Sequence, residues 1–187
     1  MKKVQKGDFD YYNYKKKMVV FLTVLYFALA IGLYVIGYVT TGSNKNLLTI
    51  VAVLGMLPAS KSAVSMVMYL RYHGCNTEDY EMLKEKVDSF VHAYGLVFTT
   101  YKKNFEACAC IVKNGYVYAC ISNHPNDADE LKKHISDMIR QNGLKGTAGV
   151  FTNKDEYLKR LADLEKKDDE DRANDEALLT LMLQLSL

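Results

Sequence analysis

MVVFLTVLYFALAIGLYVIGYV, residues 18–39, is the stretch whose reading decides how this chain is organised. It contains no charged side chain. At 1.5 Å per residue it makes a helix of about 33 Å, enough to cross a hydrocarbon core of about 30 Å. A cleavable signal peptide has a shorter apolar core, about 7 to 15 residues, ending at small residues. Here the run leaves through Val39-Thr40-Thr41-Gly42, so a retained transmembrane helix is expected.

Working outward, residues 40–46 read as a short external loop and residues 47–70 as a second span, interrupted by Pro58 and Lys61. A proline is tolerated in a membrane helix when neighbouring hydroxyls or helices re-satisfy the freed carbonyl, and Ser60, Ser62 and Ser65 stand close by. The alternative is a span ending near Pro58, followed by an interfacial helix over residues 60–72. Lys61 is the intramembrane polar candidate. With no acid in either apolar stretch to pair with it, it reads as a snorkelling or interfacial lysine.

Lys15, Lys16 and Lys17 abut the first span, the loop carries only Lys45, and Arg71 follows the second. The positive-inside bias therefore predicts a multi-pass cell-membrane protein with both termini cytosolic. Phe9, Tyr11, Tyr12 and Tyr14, in the basic segment 1–17, read as headgroup-level anchors. Ala28 and Gly32 in the first span, with Gly55, Ala59 and Ala63 in the second, offer small-residue faces for a close helix seam or a homodimer.

From Asn76 onwards the pattern becomes that of a soluble fold. Fifteen Lys and Arg stand against twenty Asp and Glu, so there is no basic surplus for a phosphate backbone, and nucleic acid is not an expected partner. Tyr80, Leu83, Val87, Phe90 and Val91 form a helical stripe, stopped at Gly95. Leu96–Tyr101, Phe105–Val112 and Tyr116–Ile121 read as strands, the last two joined by Asn114-Gly115. Asp127 with Glu130 suggests a capping box opening a helix with Leu131, Ile135, Met138 and Ile139, ended by Gly143. Thr147–Thr152 reads as a fourth strand and Asn153 opens a further helix with Tyr157, Leu158, Leu161 and Leu164. The fold class is thus α+β: a two-helix transmembrane hairpin, then a cytosolic αβββαβα domain over residues 76–165 with some parallel pairing. Residues 166–187 read as a charged linker and an amphipathic helix.

The order αβββαβ resembles the core topology of restriction-endonuclease-like folds. Such nucleases hold a metal with an Asp on the second strand and an acidic-x-Lys pair on the third. Here the second strand offers only Glu106, and Tyr116-Val117-Tyr118-Ala119-Cys120-Ile121 has neither acid nor lysine. The resemblance stops at topology and brings no active site.

Cys108, Cys110, Cys120, His124 and His134 are zinc-ligand types. Pairing across Asn114-Gly115 sets Cys110 opposite Ala119, which predicts Cys108 and Cys110 on one sheet face and Cys120 on the other. In a reducing cytosol they read as core thiols, and neither metal nor cofactor is expected. Ser122, Asn123 and His124, at a strand end opening onto a helix, are the candidate small-ligand or catalytic loop, against turn and cap bonding as the alternative. Leu178, Leu181, Met182 and Leu185 share a helical face that packs on its own domain or docks a partner. The sequence favours a membrane-anchored, non-catalytic interaction or regulatory module, partnered by the bilayer and by a protein or a second copy. A sensor or enzyme at Ser122–His124 and an oligomeric transporter subunit are the alternatives.

Overall fold

The computed structural model describes residues 5–72, 75–100, 102–166 and 171–187. The chain divides into two compact units, one of residues 13–72 and one combining residues up to 12 with those from 73 on.

In the first unit, α1 (Tyr11–Thr41) and α2 (Leu47–Arg71) form an antiparallel hairpin, and both are long and apolar enough to cross a membrane. Most of their large apolar side chains face outward, among them Phe21, Val24, Leu29, Leu54, Leu57 and Val64. Exposed apolar faces of that extent suit a lipid environment rather than water. Lys61 is exposed, and α2 runs unbroken through Pro58.

The helix–helix seam is narrow. On α1 it is built from Val19, Thr23 and Ala30, all buried, and from Gly37, where an added Cβ would lie 2.9 Å from Leu48. On α2 it uses Ala52, Gly55 and Ala59, and the Thr23 and Ser62 hydroxyls hydrogen-bond at 2.7 Å. Gly55 and Ala59 are seam residues as expected, whereas Ala28 is exposed and nothing lies near Gly32. Thr23, Ala30 and Gly37 recur every seven residues, so the contact follows a coiled-coil-like stripe on α1 and not a four-residue one.

The second unit is a three-layer α+β domain. Its elements are α3 (Thr77–Val87), β1 (Val91–Thr99), β2 (Asn104–Lys113), β3 (Tyr116–Ile121), α4 (Ala128–Gln141), β4 (Thr147–Phe151), α5 (Lys154–Glu165) and α6 (Arg172–Leu185). The sheet order is β1-β2-β3-β4, with β1, β2 and β3 antiparallel and β4 parallel to β3. Helices α4 and α6 cover one face, over Phe98, Phe105, Leu131, Ile135, Leu178 and Met182; α3 and α5 cover the other, over Leu83, Val87, Ile111, Tyr157 and Leu161.

The hairpin register is the expected one, Lys113 opposite Tyr116 and Cys110 opposite Ala119, set by Asn114 and Gly115 at φ 51° and 76°. Three local expectations are corrected. The first helix stops at Val87, not Gly95, and residues 91–94 pair with β2, because their β-branched and aromatic side chains fill the sheet. Gly95 is instead a left-handed residue within β1, opposite a register shift in β2 between Ala107 and Ala109. Asp127 makes no side-chain cap; its carboxylate pairs with Lys103 at 2.6 Å, and Glu130 accepts from Thr100.

Candidate functional site

Ser122, Asn123 and His124 leave β3 together, but their polar groups are largely engaged in the fold. The Ser122 N–H and hydroxyl donate to the Glu106 carbonyl, at 2.8 and 3.2 Å. The Asn123 Oδ1 accepts from the Glu106 N–H at 2.7 Å, and its Nδ2 donates to the Asn104 carbonyl. His124 turns the chain at φ 50°, its ring edge-on to Phe105. The loop therefore fastens the end of β3 to the start of β2, and its amide groups are spent on backbone partners.

The register shift in β2 changes the cysteine geometry. An irregularity of one residue re-aims everything beyond it. Cys108 consequently faces the α3/α5 layer with Cys120, while Cys110 faces the α4/α6 layer, correcting the expected pairing of Cys108 with Cys110. Cys108 is also bonded to Cys75, so only Cys110 and Cys120 are free thiols, correcting the expectation that Cys108 is a free core thiol as well. Burial pushes the Cys110 thiol up to about 12 and Cys120 to about 11, which leaves both protonated and poor nucleophiles at neutral pH. Among the described residues no cluster of three His, Cys, Asp or Glu is placed to hold a metal.

A cavity of about 650 Å³ lies under a strap formed by Gln5–Asp10. The strap is part of the domain. The Tyr94 N–H donates to the Gly7 carbonyl at 2.7 Å, the Lys6 ammonium to the Ser186 carbonyl, and Phe9 stacks on Tyr80 at 4.0 Å. Phe9 is thus packed on the domain. Across the cavity the Tyr94 hydroxyl donates to Asp88 at 2.7 Å, and the His92 Nε2 lies 3.5 Å from the same carboxylate. Burial and the Asp88 carboxylate raise the Tyr94 phenol, so it acts as a donor and not as a base. The Asp88–His92–Tyr94 group is illegible in the sequence, where the helical stripe of α3 reads on to Gly95 although α3 ends at Val87 and β1 begins at Val91.

Helix α6 lies on the domain's own sheet: Leu178 and Met182 are fully buried, Leu181 nearly so, and Leu185 packs against the same cluster. Its anchor is Asp175, 1% exposed, whose two carboxylate oxygens accept the Asn114 and Gly115 N–H groups at 2.7 and 2.8 Å. Sequence reading missed this contact, since Asp175 ends a charge run that reads as solvated.

The two sheet edges differ. At β1, Gly7 takes the Tyr94 N–H, the Leu187 N–H donates to Val97, and Ser186 bridges to Phe98. At β4, no described residue pairs with the outer side, and a groove of about 480 Å³ runs along it between Tyr118, Lys132, Glu156 and Arg160.

What these features define is an α+β domain joined to an apolar two-helix hairpin, with one open sheet edge and one strapped cavity. No protein-family model, curated protein or solved structure matches the chain.

Proposed function

We propose that this chain is a membrane-anchored interaction module that presents its α+β domain to a protein partner on the cytosolic side. The observation carrying this reading is the asymmetry of the sheet edges: one sealed by Gly7, Ser186 and Leu187, the other with no backbone partner among the described residues. An open edge is a template for strand addition, a recurring mode of protein recognition. The basic flank at Lys15–Lys17 supports the cytosolic side by the positive-inside bias.

A photo-crosslinking amino acid at Thr152, at the end of the β4 edge, gives a discrete adduct in native membranes, and the same group at Ser136 on the exposed side of α4 does not. Absence of any adduct at Thr152 overturns the reading. Small-ligand sensing is the second reading. The strapped cavity with Asp88, His92 and Tyr94 favours it, rather than the Ser122–His124 loop.

A further inference from the structure

We infer that the open β4 edge takes the β4 strand of a second copy of this chain, joining two sheets antiparallel about a two-fold axis. The inference rests on reading the domain as an interaction module and names its partner.

In a parallel ladder alternate residues turn their backbone groups to the neighbour. Thr147 donates to the Gly115 carbonyl at 2.8 Å, so Thr147, Gly149 and Phe151 serve β3, while Ala148 and Val150 direct theirs outward. Natural edges are blunted by lysine, proline, bulges or a covering segment. Thr147-Ala148-Gly149-Val150-Phe151 has no charge and no proline, its register with β3 is uninterrupted, and no described residue covers it.

The outward groups are self-complementary. With the axis at Gly149, Ala148 of one copy exchanges both hydrogen bonds with Val150 of the other, and the reverse. Gly149 meets Gly149 at the close, non-bonded crossing with no side chain between them. Beyond the strand, α5 presents Glu156 and Arg160 one turn apart along the groove, both exposed and neither in an ion pair with a described residue. A two-fold axis sets α5 against α5 antiparallel, which brings Glu156 of each copy to Arg160 of the other. An unrelated partner would need to supply this alternation itself, whereas a second copy carries it. Two hairpins held in one bilayer also raise the effective concentration of one edge near the other.

Charge reversal tests the pairing in the full chain, in membranes and in mild detergent, with crosslinking and mass as readouts. The wild type gives an adduct at Thr152 of twice the chain mass. Glu156→Arg alone, or Arg160→Glu alone, places four like charges together and weakens the dimer by about tenfold or more. The double variant E156R/R160E restores it. Val150→Pro, which removes an outward N–H and none used by β3, also abolishes it. Both α5 positions are exposed, so the single variants keep the melting midpoint of the wild type. A monomeric wild type overturns the inference, as does a dimer indifferent to the single reversals. An adduct at Thr152 to a different protein overturns self-pairing and leaves the interaction module standing; no adduct at all overturns both.

Discussion

Tyr157 is fully buried on α5, and its hydroxyl meets no hydrogen-bond partner among the described residues. An unpaired buried hydroxyl costs about 1 to 3 kcal/mol, so Tyr157→Phe raises the domain's stability by an amount of that order. A chemical-denaturation curve measures it, and a lower midpoint in the variant would show that the hydroxyl has a partner. Asp175 predicts the opposite sign. It satisfies two turn N–H groups from a buried position, and hydrogen bonds to a charged group contribute about 1.5 to 3 kcal/mol each. Asp175→Ala therefore destabilises by at least about that much, read on the same curve. The buried thiols make stability depend on pH. Cys110 and Cys120 rise from the ordinary 9.0 to about 12 and about 11, so the folded chain keeps protons that the unfolded chain releases. Stability is full below about pH 9 and falls as pH rises towards 11 to 12. A melting midpoint of the reduced protein that stays flat from pH 9 to 11 would refute this.

At the scale of elements, α6 and the strap close the domain. Leu178 is fully buried between α6 and the sheet, and Leu178→Ala costs about 2 to 5 kcal/mol, a large share of a marginal domain's stability. An unchanged melting curve would mean that α6 spends its time elsewhere. The strap makes a parallel case. Residues 76–187 alone lose the Phe9–Tyr80 stack and the Gly7–Tyr94 bond, and melt lower than a protein with Gln5–Tyr12 joined back through a linker. Equal midpoints would show that the strap adds nothing. Much at this scale was legible beforehand. The Asn114-Gly115 turn, the β3 bounds, the fourth strand and the α5 cap at Asn153 all follow from local chemistry. The end of α3 did not, because residues 90–94 carry a helical period and strand-forming side chains at once, and pairing with β2 decided between them.

At the scale of the whole molecule the expectation is topological. A cysteine placed at Ser43 reacts with an impermeant reagent on intact cells, and one at Ser136 reacts only after permeabilisation. Labelling of Ser136→Cys from outside would reverse the orientation, and would place the Cys75–Cys108 bond where disulfides persist.

The sequence by itself determined the two apolar helices, the α+β order and the hairpin register, because each rests on signals within a few turns of chain: length without charge, hydrophobic period, a two-residue turn. Only the tertiary structure decided which groups each candidate site residue meets. The shift in β2 sends Cys108 and Cys110 to opposite layers, and Asp175 reaches a turn sixty residues away. The strap covers Tyr80 and Tyr94, and the Ser122–His124 loop gives its bonds to β2. These depend on distant groups meeting, where partner satisfaction and packing outweigh local preference, and no short window of sequence contains both sides of such a contact.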